Sequence, residues 1–229
     1  MSSIIILAIA TVGMALQGAF IYSEYKEKHV RADVLKGLAS LCFVMIGVFA
    51  YLPHAGQYPM GLKILWGLVF GLIGDVVMNL RFILKGDAGQ KAFLGGILAF
   101  LIGHVLYLMA LIPCTTHLVW CIVIGGLLSA GLLAYIFKTM EVKIAFKIFG
   151  IFYLSAVIIM TVIGIDIAAV TMKARDVVYA IGAVLFTASD IILIFNTFGG
   201  ESKFSRRITN LSLYYVGQLL IAGSMFFFY

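Results

Sequence analysis

Two aspartates lie within long apolar segments of this sequence. Asp75 is part of GLVFGLIGDVVMNL, and Asp190 is part of AIGAVLFTASDIILIF. An aspartate at the centre of a membrane helix costs ~2.5 to 3.5 kcal/mol on insertion scales, so such a residue is usually kept for a function. Two carboxylates at similar depth in one helical bundle indicate acid/base chemistry, a path for cations, or a buried polar network that joins two helices.

Eight further polar residues accompany the two aspartates, within the apolar segments or at their ends. At ~1.5 Å of rise per helical residue, both carboxylates lie roughly 9 to 12 Å from the same end of the bundle. Asn79 follows Asp75 by one turn and shares its face. Each of these residues also has a structural interpretation, as an interfacial lysine or as a side chain hydrogen-bonded between packed helices. The eight candidate binding residues are Lys36, Asn79, His104, Tyr107, Ser189, Tyr214, Tyr215 and Gln218.

The composition places these residues in a membrane protein. Of the 229 residues, 63% are hydrophobic and 11% are charged, whereas a soluble domain carries about 25% charged residues. Neither a linker nor a low-complexity tract divides the sequence. We therefore expect one transmembrane helical domain over residues 1–229.

Apolar stretches of about 20 residues predict an all-α bundle of eight transmembrane helices. The first stretch has neither a basic leading segment nor a small-residue cleavage site, so we interpret it as a retained helix and not as a signal peptide. The predicted spans are residues 3–22, 33–52, 61–81, 92–112, 117–137, 145–168, 176–197 and 208–228.

The basic residues are unevenly distributed among the predicted loops. Thirteen of the 16 Lys and Arg residues fall in or beside the first, third, fifth and seventh loops. The positive-inside rule makes these loops cytoplasmic and both termini non-cytoplasmic, with the aspartates in the cytoplasmic half of the membrane. The formal net charge of +6 then reflects topology, and we expect no nucleic-acid partner because no basic face forms. Short loops with this charge pattern suit a bacterial inner membrane.

The sequence contains none of the motifs for the commoner hydrolytic chemistries. GxSxG, HExxH and Walker-type motifs are absent from it, and each of these would position a nucleophile, a metal or a phosphate. Its three cysteines form no CxxC pair, and His104 is the single histidine in the interior of a predicted span, since the other three lie in loops or at helix ends. A catalytic zinc needs about three protein ligands. We expect neither a metal nor a cofactor, so an enzyme of this kind would use its carboxylates directly.

Four segments together give the chain a resemblance to a known family. They contain Gly-Asp on the third helix, F-x-x-x-H-x-x-Y on the fourth, F-x-x-S-D on the seventh and Y-x-x-x-Q on the eighth. In this order and at these spans, the motifs resemble the YhhN/TMEM86 family of lysoplasmalogenases, which are integral membrane hydrolases. The segments are GLIGDVVMNL (71–80), FLGGILAFLIGHVLYLMAL (93–111), GAVLFTASDIILIF (182–195) and YYVGQLLIAGS (214–224).

The resemblance implies an activity and a division of roles. It implies cleavage of the vinyl ether bond of lysoplasmenylethanolamine or lysoplasmenylcholine, to a fatty aldehyde and a glycerophospho-headgroup. Its two essential aspartates correspond to Asp75 and Asp190. Its other site residues correspond to His104, Tyr107, Ser189, Tyr215 (or Tyr214), Gln218 and Lys36, although Gly37 stands where the family often has proline after the lysine. We expect His104, Tyr215 and Gln218 to position water or the glycerol hydroxyl, and Lys36 or nearby loop cations to meet the headgroup phosphate. The substrate would be a lysophospholipid in the bilayer.

Vinyl ether hydrolysis suits a pair of carboxyl groups. The reaction protonates the terminal alkene carbon to give an oxocarbenium-like cation, which water attacks, and the resulting hemiacetal collapses to an aldehyde. Glycosidases meet the same demand with two carboxyl groups, one of which acts as an acid. We expect Asp75 and Asp190 to share one proton and to divide these roles.

Three other functions are compatible with intramembrane carboxylates. The first is a proton- or cation-coupled transporter of a small or lipid-like solute, although all three prolines lie at helix ends and leave no broken helix of the kind that marks a transport site. The second is a lipid-binding or scaffold protein without turnover. The third is a hydrolase that acts on another lysolipid bond.

Overall fold

A computed structural model describes residues 3–55 and 59–228 of the chain. Within these residues the protein is all-helical, as the sequence predicts. Short 3₁₀ turns at Leu52–His54, Leu80–Phe82, Ile112–Cys114 and Met225–Phe228 follow four of the long helices. The long helices are α1 (Ser3–Tyr25), α2 (His29–Tyr51), α3 (Pro59–Asn79), α4 (Gly86–Leu111), α5 (Leu118–Thr139), α6 (Ile144–Thr171), α7 (Ala174–Phe198) and α8 (Phe204–Ser224).

Helices α1 to α7 are each long and apolar enough to cross a membrane. Helix α8 is long enough but more polar, because Arg207, Asn210 and Gln218 repeat along one of its faces and are buried against the rest of the bundle. Eight long helices are therefore present among the described residues, and seven of them have the composition of a span. The crossing by α8 and the placement of both termini stay predictions.

Helix α3 packs most extensively with α4, and α7 packs most extensively with α8. Gly182 of α7 and Gly217 of α8 meet backbone to backbone, since a methyl group added to either one would lie 2.8 Å from the carbonyl oxygen of the other. Small residues at such contacts allow the close approach of helices in lipid, where no hydrophobic effect drives them together. This contact fixes α8 beside the helix that carries Asp190.

One end of the bundle collects the first, third and seventh loops, and we call it the basic end. Arg207 at the start of α8 forms an ion pair with Glu24 near the end of α1, with an Nη2–Oε1 distance of 3.1 Å. The ring of His29 stacks on the ring of Phe82, with centroids 5.9 Å apart. At the opposite end, His117 Nδ1 lies 2.9 Å from Asp166 Oδ1. The loops that carry most of the basic residues thus come together at one end.

Candidate active site

Asp75 is fully buried and is held by three side chains from two other helices. Its Oδ1 atom lies 3.1 Å from Lys36 Nζ in an ion pair whose side chains are 2% and 4% exposed. Its Oδ2 atom accepts hydrogen bonds from Ser40 Oγ at 2.5 Å and from the Tyr214 hydroxyl at 2.7 Å. One cation and two hydroxyl donors satisfy an ionised carboxylate, so this arrangement favours the charged form of Asp75.

The local sequence explains how α2 supplies two of these partners. Lys36 and Ser40 are four residues apart, so they lie one turn apart on the same face of the helix. The hydroxyl of Tyr215 donates to the backbone carbonyl of Lys36 at 3.2 Å and lies 3.1 Å from Ser40 Oγ. Tyr215 therefore fixes the turn of α2 that presents the lysine and the serine to Asp75.

Asp190 has a different environment from Asp75. It is 4% exposed, and its Oδ2 atom accepts one short hydrogen bond, of 2.5 Å, from the hydroxyl of Tyr153 on α6. In the part of the chain that the structure describes, no lysine, arginine or histidine nitrogen lies within ion-pair distance of Asp190. A carboxyl group with one hydroxyl partner and no cation is better suited to hold a proton than a charge.

Both carboxyl groups line one cavity, which contains about 760 Å³ of space not filled by protein atoms. Lys36, Tyr153 and Tyr214 also reach this cavity, together with Ser189. The rest of its wall is largely aromatic and aliphatic, so it can hold a hydrocarbon chain beside the two carboxyl groups. The apolar side chains of the wall are Met78, Phe93, Ile97, Phe100, Phe146, Leu193, Ile194, Phe198 and Leu211.

Two of the predicted residues lie behind the cavity wall and connect to it through hydrogen bonds. The Tyr107 hydroxyl donates to Gln218 Oε1 at 3.3 Å, and Gln218 Nε2 donates to the Tyr214 hydroxyl at 3.5 Å. Tyr214 in turn donates to Asp75. Tyr107 and Gln218 thus support Asp75 through Tyr214 and do not face the cavity themselves.

His104 is buried close to the site without touching either carboxyl group. Its Nδ1 atom lies 2.7 Å from the carbonyl oxygen of Phe100, which makes Nδ1 the protonated nitrogen. Among the described residues its Nε2 atom has no hydrogen-bond partner. The ring packs edge-on against Tyr153, with centroids 5.4 Å apart. The predicted role of His104 in positioning water therefore has no direct contact to support it.

Asn79 and Ser189 also differ in their relation to the cavity. Asn79 is buried but does not line it, and within the described residues its Oδ1 atom has no hydrogen-bond partner. Ser189 does line it, and its hydroxyl and carbonyl oxygens each lie 2.8 Å from the amide nitrogen of Asn210. Ser189 therefore joins α7 to α8 immediately beside Asp190.

The sequence interpretation missed four residues of this site. Ser40 was signalled by its spacing of four residues from Lys36. Arg207 and Asn210 were signalled by their spacing of seven and four residues from Tyr214, which places them on one face of α8; both line the cavity. Tyr153 had no comparable signal, because a single tyrosine in an apolar span is ordinary and its partner is distant in sequence.

Comparisons with known proteins agree with the resemblance read from the four motifs. The model of the YhhN family matches residues 32–225, which include every residue of the site described above. A bovine protein, lysoplasmalogenase TMEM86A from Bos taurus, is 28% identical over 198 residues, which cover 83% of this chain and 76% of that protein. No solved structure matches the chain significantly.

Proposed function

Because the chain belongs to the YhhN family, we propose that it hydrolyses the vinyl ether bond of lysoplasmalogens with Asp75 and Asp190. Seven apolar helices and the family make it an integral membrane protein. The activity printed in the name of its bovine relative supports the reaction class. The observation that carries the proposal is the single cavity, largely apolar, that both buried carboxyl groups line.

The proposed substrate is lysoplasmenylethanolamine or lysoplasmenylcholine, and the products are a fatty aldehyde and the glycerophospho-headgroup. The alkenyl chain would lie against the phenyl rings of the cavity wall. We place the basic end on the cytoplasmic side of the membrane, by the positive-inside rule, so the substrate would enter from the cytoplasmic leaflet. A bacterial inner membrane is the proposed location.

Charge balance assigns the proton to Asp190. Lys36 and Asp75 form a neutral pair, so an ionised Asp190 would add an unpaired charge to an apolar cavity, which is costly. A protonated Asp190 leaves the resting site neutral. After the proton moves to the substrate, the new Asp190 carboxylate faces the new oxocarbenium ion, and the site is neutral again.

The reaction then proceeds in three steps. First, the Asp190 proton bonds to the alkene carbon remote from oxygen, using the π electrons, while an oxygen lone pair forms the C=O⁺ bond of the oxocarbenium ion. Second, water attacks the carbon of the C=O⁺ group and loses a proton to Asp190. Third, the hemiacetal hydroxyl loses its proton, the bond to the glycerol oxygen breaks, and that oxygen takes up a proton. The sum is vinyl ether plus water to aldehyde plus alcohol.

Asp75 and two tyrosines complete the proposed mechanism. Asp75 stays ionised beside Lys36 and opposes the positive charge that develops on the substrate. The hydroxyl of Tyr153, which lies 2.5 Å from Asp190 Oδ2, stabilises the carboxylate that forms when Asp190 loses its proton. Tyr214 holds Asp75 in place through its 2.7 Å hydrogen bond.

Aldehyde release by the purified protein tests this proposal. We would compare lysoplasmenylethanolamine with its saturated ether analogue, for wild type, Asp75→Asn and Asp190→Asn. The exposed Asp87 provides a matched control in Asp87→Asn. We expect aldehyde from the vinyl ether alone, its loss in both site variants, and unchanged release in the control. Full activity of a folded Asp190→Asn protein would refute the proposed acid.

The origin of the transferred proton gives a second measurement. In D₂O the aldehyde, trapped at once as its alcohol, should carry one deuterium on the carbon next to the former carbonyl, because that carbon receives the acid proton. Authentic unlabelled aldehyde incubated in the same way controls for exchange. If folded wild type releases no aldehyde, other lysolipids are the next substrates to test, followed by flux assays in liposomes for a transporter.

A further inference from the structure

An open groove at the basic end of the bundle borders the aspartate cavity. Leu193, Thr197 and Arg207 line both spaces. The groove is also lined by Arg81 and His29 and has about 1180 Å³ of open space. We call it the mouth groove. It lies between the proposed reaction site and the end of the bundle where a lipid headgroup would meet water.

We propose that Arg81, with His29 beside it, binds the phosphate group of the lysolipid headgroup in the mouth groove. This inference rests on the proposed function. It replaces Lys36 as the headgroup contact, because Lys36 is buried and paired with Asp75. Three observations on Arg81 support it: the two phenyl rings against its guanidinium group, its lack of a carboxylate partner among the described residues, and its spacing of six residues from Asp75.

Two phenyl rings hold the guanidinium group of Arg81. Its central carbon lies 4.7 Å from the ring centre of Phe82 and 4.2 Å from that of Phe93. A guanidinium group that packs against aromatic rings keeps its N–H bonds in its own plane, which is the geometry that binds phosphate through two parallel hydrogen bonds. Phe93 also lines the aspartate cavity, so one ring borders both the proposed chain site and the proposed phosphate site.

Among the described residues, Arg81 differs from Arg207 and Lys203 of the mouth groove in having no carboxylate partner. Arg207 is paired with Glu24 at 3.1 Å, and Lys203 is paired with Glu201 at 3.2 Å. Across residues 3–55 and 59–228, Arg81 makes no ion pair, and its Nε atom is buried with no hydrogen-bond partner.

His29 supplies a second unpaired nitrogen to the same groove. Its ring stacks on Phe82, the ring that also supports Arg81. Its Nδ1 atom is likewise buried and, within the part of the chain described, without a hydrogen-bond partner. Glu24 and Glu27 also line the groove, so it is no general anion-binding surface. Among the described residues, its buried polar atoms without a hydrogen-bond partner, Arg81 Nε and His29 Nδ1, belong to the two side chains that pack on Phe82.

The spacing from Asp75 fits one lysolipid molecule. Arg81 follows Asp75 by six residues, which is about 9 Å along a helix. Seven bonds separate the reacting alkene carbon from phosphorus in a lysoplasmalogen. An extended chain advances ~1.2 Å per bond, because three backbone bonds span ~3.5 Å, so these seven bonds span roughly 8 Å. The vinyl ether can therefore lie at the carboxyl groups while the phosphate lies at Arg81.

A comparison of two substrates distinguishes binding of the phosphate from the chemical step. Lysoplasmenylethanolamine carries the phosphate, and 1-alkenylglycerol has the same vinyl ether without it. In Arg81→Gln we expect the KM for lysoplasmenylethanolamine to rise tenfold to about a hundredfold, because a charged hydrogen bond to the phosphate is lost. We expect kcat to change little. The variant should hydrolyse 1-alkenylglycerol as the wild type does. Arg206→Gln is the matched control, since Arg206 is exposed at the same end and bonds only to a backbone carbonyl among the described residues. We expect no change in it.

Several outcomes would overturn the assignment. An equal loss on both substrates would show that Arg81 supports the fold or the chemistry, and an equal effect of Arg206→Gln would show diffuse surface charge. Binding of inorganic phosphate distinguishes a site for a free anion from a site for a lipid headgroup. If Arg81→Gln abolished binding of inorganic phosphate but left the KM for lysoplasmenylethanolamine unchanged, the site would take the free anion and not the headgroup. Arg81→Lys, which keeps the charge but not the planar group, should give an intermediate KM and serves if Arg81→Gln fails to fold.

A binding measurement keeps this inference distinct from the proposed function. Saturated-ether lysophosphatidylethanolamine cannot be cleaved by this route, so the thermal stabilisation that it gives reports binding alone. We expect that stabilisation in wild type and Arg206→Gln, and its loss in Arg81→Gln. If wild type cleaved neither vinyl ether, the proposed function would fail, yet the presence or loss of this stabilisation would still decide whether Arg81 binds the phosphate.

Discussion

Replacement of Lys36 by methionine tests the buried ion pair on which the proposed charge balance depends. At the 3.1 Å separation of Lys36 Nζ and Asp75 Oδ1, an effective dielectric constant of about 20 gives an attraction of roughly 5 kcal/mol. Loss of one partner from a buried pair typically costs about 3 to 5 kcal/mol, because the other charge stays buried without compensation. Hydrogen bonds from Ser40 and Tyr214 still reach the carboxylate, so we expect the lower end of this range.

The double variant Lys36→Met/Asp75→Asn separates the ion pair from the shape of the site. It removes both charges, and we expect it to be more stable than Lys36→Met alone by about 2 kcal/mol or more, since replacing a whole buried pair is often neutral. Both proteins should release no aldehyde, because neither retains the neutral pair beside Asp190. Unfolding in mixed micelles, followed by the loss of helical circular dichroism as the fraction of denaturing detergent rises, measures the stabilities.

Three results would contradict this reasoning. Lys36→Met with the stability of wild type would mean that the ion pair contributes nothing. A double variant no more stable than the single one would mean that the lysine stem, and not its charge, supports the bundle. Substantial aldehyde release by the folded double variant would refute the role of Asp75 in the proposed mechanism.

Two further predictions concern the support of the site. Tyr153→Phe removes the hydroxyl that bonds to Asp190 at 2.5 Å, so we expect kcat to fall about tenfold to a hundredfold with little change in KM; an unchanged kcat in steady-state assays would argue against Asp190 as the acid. Gly217→Ala places a methyl group 2.8 Å from the carbonyl oxygen of Gly182 and should cost about 1 to 3 kcal/mol. Gly126→Ala, where nothing lies within 4 Å, should be neutral in the same unfolding assay, and equal effects would exclude the helix contact as the cause.

The helices could be predicted from the sequence where the apolar run and the helix have the same length. The seventh span was predicted as 176–197 and is found at Ala174–Phe198. The fourth was predicted as 92–112 but begins at Gly86, because its first turn is polar and helical hydrogen bonding continues beyond the apolar run. The eighth was predicted as 208–228 and begins earlier, at Phe204, for the same reason. It ends at Ser224, where the 3₁₀ turn Met225–Phe228 follows. Hydropathy detects the lipid-compatible part of a helix and not its polar ends.

The sequence predicted the site residues whose burial in lipid costs much free energy and missed residues whose burial costs little. A carboxylate within an apolar span has a large cost, so Asp75 and Asp190 stood out. Ser40 and Tyr153 did not, because a hydroxyl group in a helix is easily satisfied and its true partner depends on which helices meet. The ion pair of Lys36 was missed for a related reason: the sequence places a lysine at a helix end, but only the packing of α2 on α3 brings Asp75 within 3.1 Å of it.

The junction at Leu193, Thr197 and Arg207 separates an apolar chamber from a charged groove. On the proposed reaction, a single substrate molecule extends across this boundary, and cleavage beside the carboxyl groups leaves one product soluble in lipid and one soluble in water. Each product then dissolves in the phase on its own side, and the two are no longer held together for the reverse reaction. The position of the boundary would thus let the two products leave the site in different directions, without any moving part in the protein.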